Sequence, residues 1–78
     1  MTLKLISSQE VVFTGEASSV ALPGTLGRFM VLENHAALIS TLTEGDIIYV
    51  GADGKETAVS ISGGIVDVNN NVVSVCIY

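Results

Sequence analysis

The stretch Asp46–Ile61, DIIYVGADGKETAVSI, decides the fold class. The apolar run Asp46–Val50 leads through Gly51-Ala52-Asp53-Gly54 into a second β-type run, Thr57–Ile61. Asp-Gly between two such runs signals a hairpin, because glycine takes positive φ without a steric cost. The chain downstream repeats the pattern. Gly63-Gly64 interrupts it, then Ile65–Val68 and Val72–Ile77 flank Asn69-Asn70-Asn71. Asparagine tolerates the left-handed backbone, so this is a second hairpin tip.

The upstream half is less regular. Leu3–Ser8 alternates, with Leu3 and Leu5 opposite Lys4 and Ile6. Val11–Leu22 reads as a longer strand in which Gly15 marks a bulge or bend. Leu22-Pro23-Gly24-Thr25 carries turn chemistry, and Leu26–Leu32 reads as a strand ended by Glu33-Asn34. His35–Leu42 is read as a further short strand. No segment holds helical periodicity beyond two turns. Short strands with turns roughly every 8–12 residues specify an all-β sandwich or barrel. With 78 residues the chain is read as one domain, 1–78, of a size that buries only about 60% of its unfolded surface.

Composition narrows the function classes. The chain is 49% hydrophobic and 14% charged, with no tryptophan, so its core rests on many aliphatic contacts. Such an apolar chain keeps some apolar surface for a partner. Several strands carry apolar residues on both faces, and Ile6, Ile47, Tyr49 and Ile65 are candidates for packing against another subunit. The formal net charge is −5, and Lys4, Arg28 and Lys55 are the three basic residues. That balance argues against nucleic-acid binding. No apolar run approaches the roughly 20 residues of a spanning helix, and MTLKLISSQE lacks the apolar region of a signal peptide. The expectation is a cytoplasmic protein without direct membrane insertion.

Little in the chain reads as chemistry. A nucleophilic triad needs a histidine beside a serine or cysteine with an orienting carboxylate, and His35 and Cys76 are single and far apart in sequence. Their spacing makes no zinc site, and the carboxylates form no calcium loop. Gly24-Thr25-Leu26-Gly27 lacks the GK[ST] of a phosphate loop. Cys76 is read as a small buried hydrophobe. No catalytic residue, metal or cofactor is expected.

The special residues collect in Leu22–Leu42, LPGTLGRFMVLENHAALISTL, and here a resemblance emerges. Gly24, Gly27, His35, Ala36, Leu38, Leu42 and Gly45 match, in order and spacing, the segment GxxGxxGxLPGHAPLLTxLxxG of the epsilon subunit of F-type ATP synthase. Ser62–Val68 is similar to that family's SGGFxEV, Asn71–Val75 to its NxVTVL, and Phe13-Thr14-Gly15 with Val20 to its FxGxxxxV. The resemblance covers essentially the whole chain. It implies a flattened β-sandwich of about ten short strands, the N-terminal type of that subunit. It also implies a non-catalytic rotor-stalk role between the gamma subunit and the c-ring, peripheral on the cytoplasmic face of a bacterial inner membrane. Carried over residue by residue, Thr25 and Arg28 fall on the turn that faces the c-ring. Ser7, His35 and Ser40 fall toward gamma.

Four departures stand against the pattern, one being Met30 in place of a family glycine in the strand before Glu33-Asn34. Arg28 occupies a position that is often acidic, which reverses the charge offered to the c-ring. Glu33-Asn34 replaces a Pro-Gly, and Asn34 suits a left-handed position there. The chain ends at Tyr78, where many family members continue into a helical hairpin, so neither inhibition by that hairpin nor ATP binding is assigned. A generic β-sandwich module for protein or carbohydrate is the alternative, disfavoured by four aromatic residues in all.

Overall fold

A computed structural model describes residues 1–78 as eight strands and no helix. These are β1 (Thr2–Ser7), β2 (Val11–Gly24), β3 (Gly27–Leu32), β4 (Leu38–Leu42), β5 (Gly45–Gly51), β6 (Glu56–Ile61), β7 (Gly64–Asn69) and β8 (Val72–Ile77). The all-β expectation holds, with eight strands where the resemblance implied about ten.

β2 organises the sandwich. At 14 residues it is too long for a body measuring 26 × 25 × 18 Å, so it bends and serves both layers. Its first half pairs antiparallel with β1, which continues in parallel to β8 and then to β7 and β4. Its second half lies between β3 and β5, with β6 beyond. The register slips between Ala17 and Ser19, and also where Leu5 faces Phe13 and Ile6 faces Val11. The extra residues are therefore Ser18 and Val12, not Gly15. Gly15 stays in register opposite Leu3, and a Cβ there would stand 3.0 Å from the Phe13 ring. Its job is to seat that ring, and a bulge supplies the bend.

Strand alternation fills the core. Leu3, Val73 and Val68 share one inward row, and Leu5, Val75 and Val66 the next; all six are buried. The second layer answers with Val20, Leu22, Val31, Ile47, Tyr49 and Ile61. Phe13 and Tyr49 meet across the layers with ring centroids 4.6 Å apart, a productive aromatic contact. Ile47 and Tyr49 thus belong to the core, and only Ile6 and Ile65 of the four subunit-packing candidates remain exposed. Cys76 is likewise corrected. Inward Val75 fixes the alternation of β8, so the thiol points outward beside Ile65 and Ile6.

The turns follow their residues with one exception. Asn70 and Asn71, at φ 50° and 61°, form the β7–β8 tip, and Asn34 adopts φ 61° as its residue type suggested. Gly54 at φ 81° closes the β5–β6 loop, where Asp53 Oδ1 accepts the Lys55 N–H at 3.0 Å. The exception is Pro23, which lies buried inside β2; the turn is Thr25-Leu26, between paired Gly24 and Gly27. β2 leaves β5 after Ala21 and reaches β4 only at Gly24, so the missing proline N–H falls between two ladders and breaks neither. His35–Ala37 are also irregular, and the strand expected from His35 begins at Leu38.

Candidate interaction surface

The turn Thr25-Leu26 forms one end of the sandwich. Thr25 is exposed; its N–H donates to the Thr41 carbonyl at 3.1 Å and its hydroxyl meets the Thr41 hydroxyl at 2.8 Å. Leu26 at the tip is fully exposed. Arg28 follows on β3, pairing with Pro23, and its Nη1 donates to the Asp46 carbonyl at 2.8 Å. The guanidinium therefore lies across the outer face toward β5. It reaches no carboxylate there, since both ion pairs of the structure belong to the Met1 amine.

Ser7, His35 and Ser40 do not converge. His35 is half-buried in the β3–β4 connection; its backbone N–H donates to Leu32 O at 3.2 Å and its Nδ1 lies 2.7 Å from Ala36 O, with the proton on Nδ1 in that contact. Ser40 pairs with Val66, so its side chain shares the inward row of Leu5 and Val75, and its hydroxyl donates to Thr41 O. Ser7 sits at the far corner of the same layer, opposite Ile77. Its hydroxyl organises the β1–β2 turn, accepting the N–H groups of Gln9 and Glu10 and donating to Glu10 O. All three hydroxyl or imidazole candidates thus bond to backbone groups of neighbouring residues. The structure also leaves His35 and Cys76 at opposite ends of the first layer.

The end that carries His35 is tied together by charge. Met1 has a buried side chain, and its amine ion-pairs with Glu33 and with Glu16 at 3.4 Å and donates to Ala17 O at 3.2 Å. The second Glu33 oxygen accepts from Asn71 Nδ2, while Asn71 Oδ1 accepts the Asn34 N–H at 2.8 Å. This clasp binds the chain start to the β3–β4 connection and the β7–β8 tip. The bond to Glu33, above all, holds the amine above its ordinary 8.0, and that bond together with Asn71 holds the Glu33 carboxyl below its ordinary 4.5.

Both shifts make stability depend on pH. The raised amine contributes fully below pH 8.0 and loses its contribution as pH rises through the higher folded value. The lowered Glu33 contributes fully above pH 4.5 and loses its contribution as pH falls through the lower folded value. Melting temperature should therefore plateau between these limits and fall on both flanks. Glu33→Gln should flatten the acid flank and shrink the alkaline one, where Glu16 remains as a partner. Unchanged flanks in that variant would show that the clasp contributes nothing.

The outward faces carry the apolar surface. On the first layer Ile6, Cys76 and Ile65 form one row, with Val11 beside Ile6. On the second layer Met30, Ala21, Ile48 and Ala58 line up across four strands, and Met30 and Leu32 stay 55% and 53% exposed. A shallow groove of about 420 Å³ opens beside Ala37, Ile39, Asp67 and Asn69. Sequence reading passed over Met30 and Leu32. The signal was present in the buried–exposed alternation of RFMVL, but Val31 and Phe29 had to be known as the inward pair.

Residues 1–77 match the β-sandwich domain described as "ATP synthase, Delta/Epsilon chain". The chain belongs to this family. Among curated relatives, the ATP synthase epsilon chain of Bordetella petrii is 37% identical over 96% of this chain and 53% of its own length. That of Sulfurovum sp. is 42% identical over 88% of this chain and 54% of its own. The epsilon-type chain thus spans about half the length of the curated relatives it matches. Among solved structures, a chain of the Euglena gracilis mitochondrial ATP synthase superposes with a TM-score of 0.89 at 26% identity, over 96% of this chain and 48% of that one. A chain of the Tetrahymena thermophila central stalk and c-ring assembly shares the fold, with a TM-score of 0.81 at 15% identity, over 99% of this chain and 62% of that one. The glycines of the sequence motif lie at the ends of strands: Gly24 and Gly27 frame the β2–β3 turn, and Gly45 starts β5. No helix of the epsilon-type structure is long and apolar enough to cross a membrane.

Proposed function

We propose that this chain is a non-catalytic central-stalk subunit of an F-type ATP synthase, joining the gamma subunit to the c-ring. Residues 1–78 form its single sandwich domain, which sits peripherally, as part of the F1 sector, on the cytoplasmic face of a bacterial inner membrane. The match to the epsilon-type sandwich over residues 1–77 carries this reading. The Euglena relative supports it, since that chain comes from an assembly containing F1 and the c-ring. The mechanical logic is simple. A close-packed interior has low compressibility, so a sandwich with 15 buried apolar residues and no buried polar side chain passes torque without absorbing it.

Within this reading the Thr25-Leu26 end with Arg28 meets the polar loops of the c-ring, and the His35 side of the sandwich faces gamma. Ser7 and Ser40 shape that side through their backbone, because their hydroxyls are already bonded internally. The test is co-expression with the cognate gamma subunit followed by gel filtration, with stoichiometric co-elution expected. Separate elution at low and moderate salt would overturn the reading. Arg28→Glu should leave the fold intact and change c-ring association by about fivefold or less, with altered salt dependence, as for an exposed charge pair. Identical association at low salt would remove Arg28 from that interface.

A further inference from the structure

The sandwich has four open strand edges, and three are protected. The free side of β2's first half carries the bulge at Val12, which twists an edge away from pairing. β6 carries Glu56 and Ser60, with Lys55 beside it. The lane beside β4 is entered by β2, through Thr25 N–H to Thr41 O and Thr43 N–H to Pro23 O. β3 has none of these devices.

The direction of its free groups follows from the ladder. Pro23 O accepts from Thr43, so residue 23 bonds away from β3 while Leu22 and Gly24 bond toward it. Phe29 and Val31 therefore pair into β2, and Arg28, Met30 and Leu32 aim their N–H and C=O groups at the open side. Only Leu32 O is taken, by the His35 N–H at 3.2 Å. The same three residues present their side chains outward, two apolar and one basic. Arg28 does not cap the edge, because its guanidinium is drawn across the sheet to Asp46 O and meets no carboxylate. An exposed edge with apolar side chains and no bulge, proline or edge-facing charge is a template for strand addition.

We propose that the β3 edge, Arg28–Leu32, is a strand-addition site for an extended segment of a partner chain that carries an acidic residue opposite Arg28 and apolar residues opposite Met30 and Leu32. Charge selects the acid: the exposed Arg28 has no anionic partner in a chain of net charge −5, and a carboxylate on the added strand draws its guanidinium off the Asp46 carbonyl into an ion pair at the edge. An antiparallel strand exchanges main-chain bonds with Arg28, Met30 and Leu32 and extends the apolar row that already runs Met30, Ala21, Ile48, Ala58. The site stands on this edge geometry alone and does not depend on which rotor subunits the sandwich joins.

The probe is the acetylated, amidated heptapeptide Thr-Val-Thr-Val-Thr-Glu-Thr, titrated into the isotopically labelled full chain while amide shifts and hydrogen exchange are followed. Saturation should slow exchange at Arg28, Met30 and Leu32 by about tenfold or more, with β6 amides unaffected. Replacing the peptide glutamate by lysine should weaken binding about twofold to fivefold, the size of one cross-strand charge pair. Methylating the peptide amides that face β3 should abolish binding while keeping every side chain, which separates strand pairing from simple apolar contact. Met30→Lys, at an exposed position, should block binding in a folded protein. No response at millimolar peptide, a response centred on β4 or β6, or binding indifferent to amide methylation would each overturn the proposal. So would protection of the same amides by protein concentration alone, which would make a second copy the occupant.

Discussion

Leu5→Ala should destabilise the sandwich by about 2–5 kcal/mol, the range for deleting a buried leucine side chain from a core that relaxes only partly. Leu5 is fully buried on an interior strand of the first layer, with Phe13 opposite it on β2 and Val75 opposite it on β8. Both flanking strands are hydrogen-bonded to β1, so neither can move in to fill the cavity without breaking a ladder. At about 0.05–0.15 kcal/mol per residue, a chain of this length holds roughly 4–12 kcal/mol in all, so the substitution removes a large share of it. Leu26→Ala deletes the same atoms from a fully exposed tip and should stay within about 0.5 kcal/mol. Urea unfolding of both variants makes the comparison, read as midpoint shifts at constant slope. Equal midpoints would mean that the core has been placed on the wrong face of β1.

The sequence carried different parts of this structure with different clarity. Leu3 and Leu5 were legible because strict alternation leaves one choice of inward face once one residue is charged, as Lys4 is. The Asn70-Asn71 tip was legible because asparagine is among the few side chains that accept positive φ. Ile47 and Tyr49 were misplaced for want of such a marker. Apolar neighbours at Ile48 and Val50 make both faces of β5 look buried, and only pairing with β2 decides between them. Pro23 was misread for a similar reason, since its tolerance inside a strand depends on β2 changing partners there, a fact of topology. The site residues came from family resemblance by position, which says where a residue sits along the chain but not what its side chain already bonds. Ser7 and Ser40 show the difference. The Glu33 clasp lay beyond both kinds of reading, because it joins residues 1, 16, 33 and 71 through space.

Gly64→Ala should disrupt the β7–β8 ladder and cost about 1–3 kcal/mol or more, as expected for atoms forced into a packed site. A Cβ on Gly64 would stand 2.4 Å from the Cys76 carbonyl oxygen and 3.2 Å from Ile77 Cα. These are backbone atoms, held in place by β8's pairing with both β7 and β1, so no rotamer change relieves the overlap. Gly54→Ala offers the contrast. That glycine has open space around it and φ 81°, so alanine there meets only the backbone penalty of about 1–2 kcal/mol. Gly15→Ala offers a second, because its 3.0 Å contact is with the Phe13 ring, which a smaller side chain at 13 can relieve. The three variants therefore differ in their rescue. Phe13→Leu should recover part of the loss in Gly15→Ala, whereas no side-chain truncation at Cys76 or Ile77 should recover Gly64→Ala. Hydrogen exchange should show the damage confined to β7 and β8, with the β5–β6 hairpin protected as before. Recovery of Gly64→Ala by Cys76→Ala or Ile77→Ala would place the clash on a side chain and overturn the argument that two backbones require this glycine.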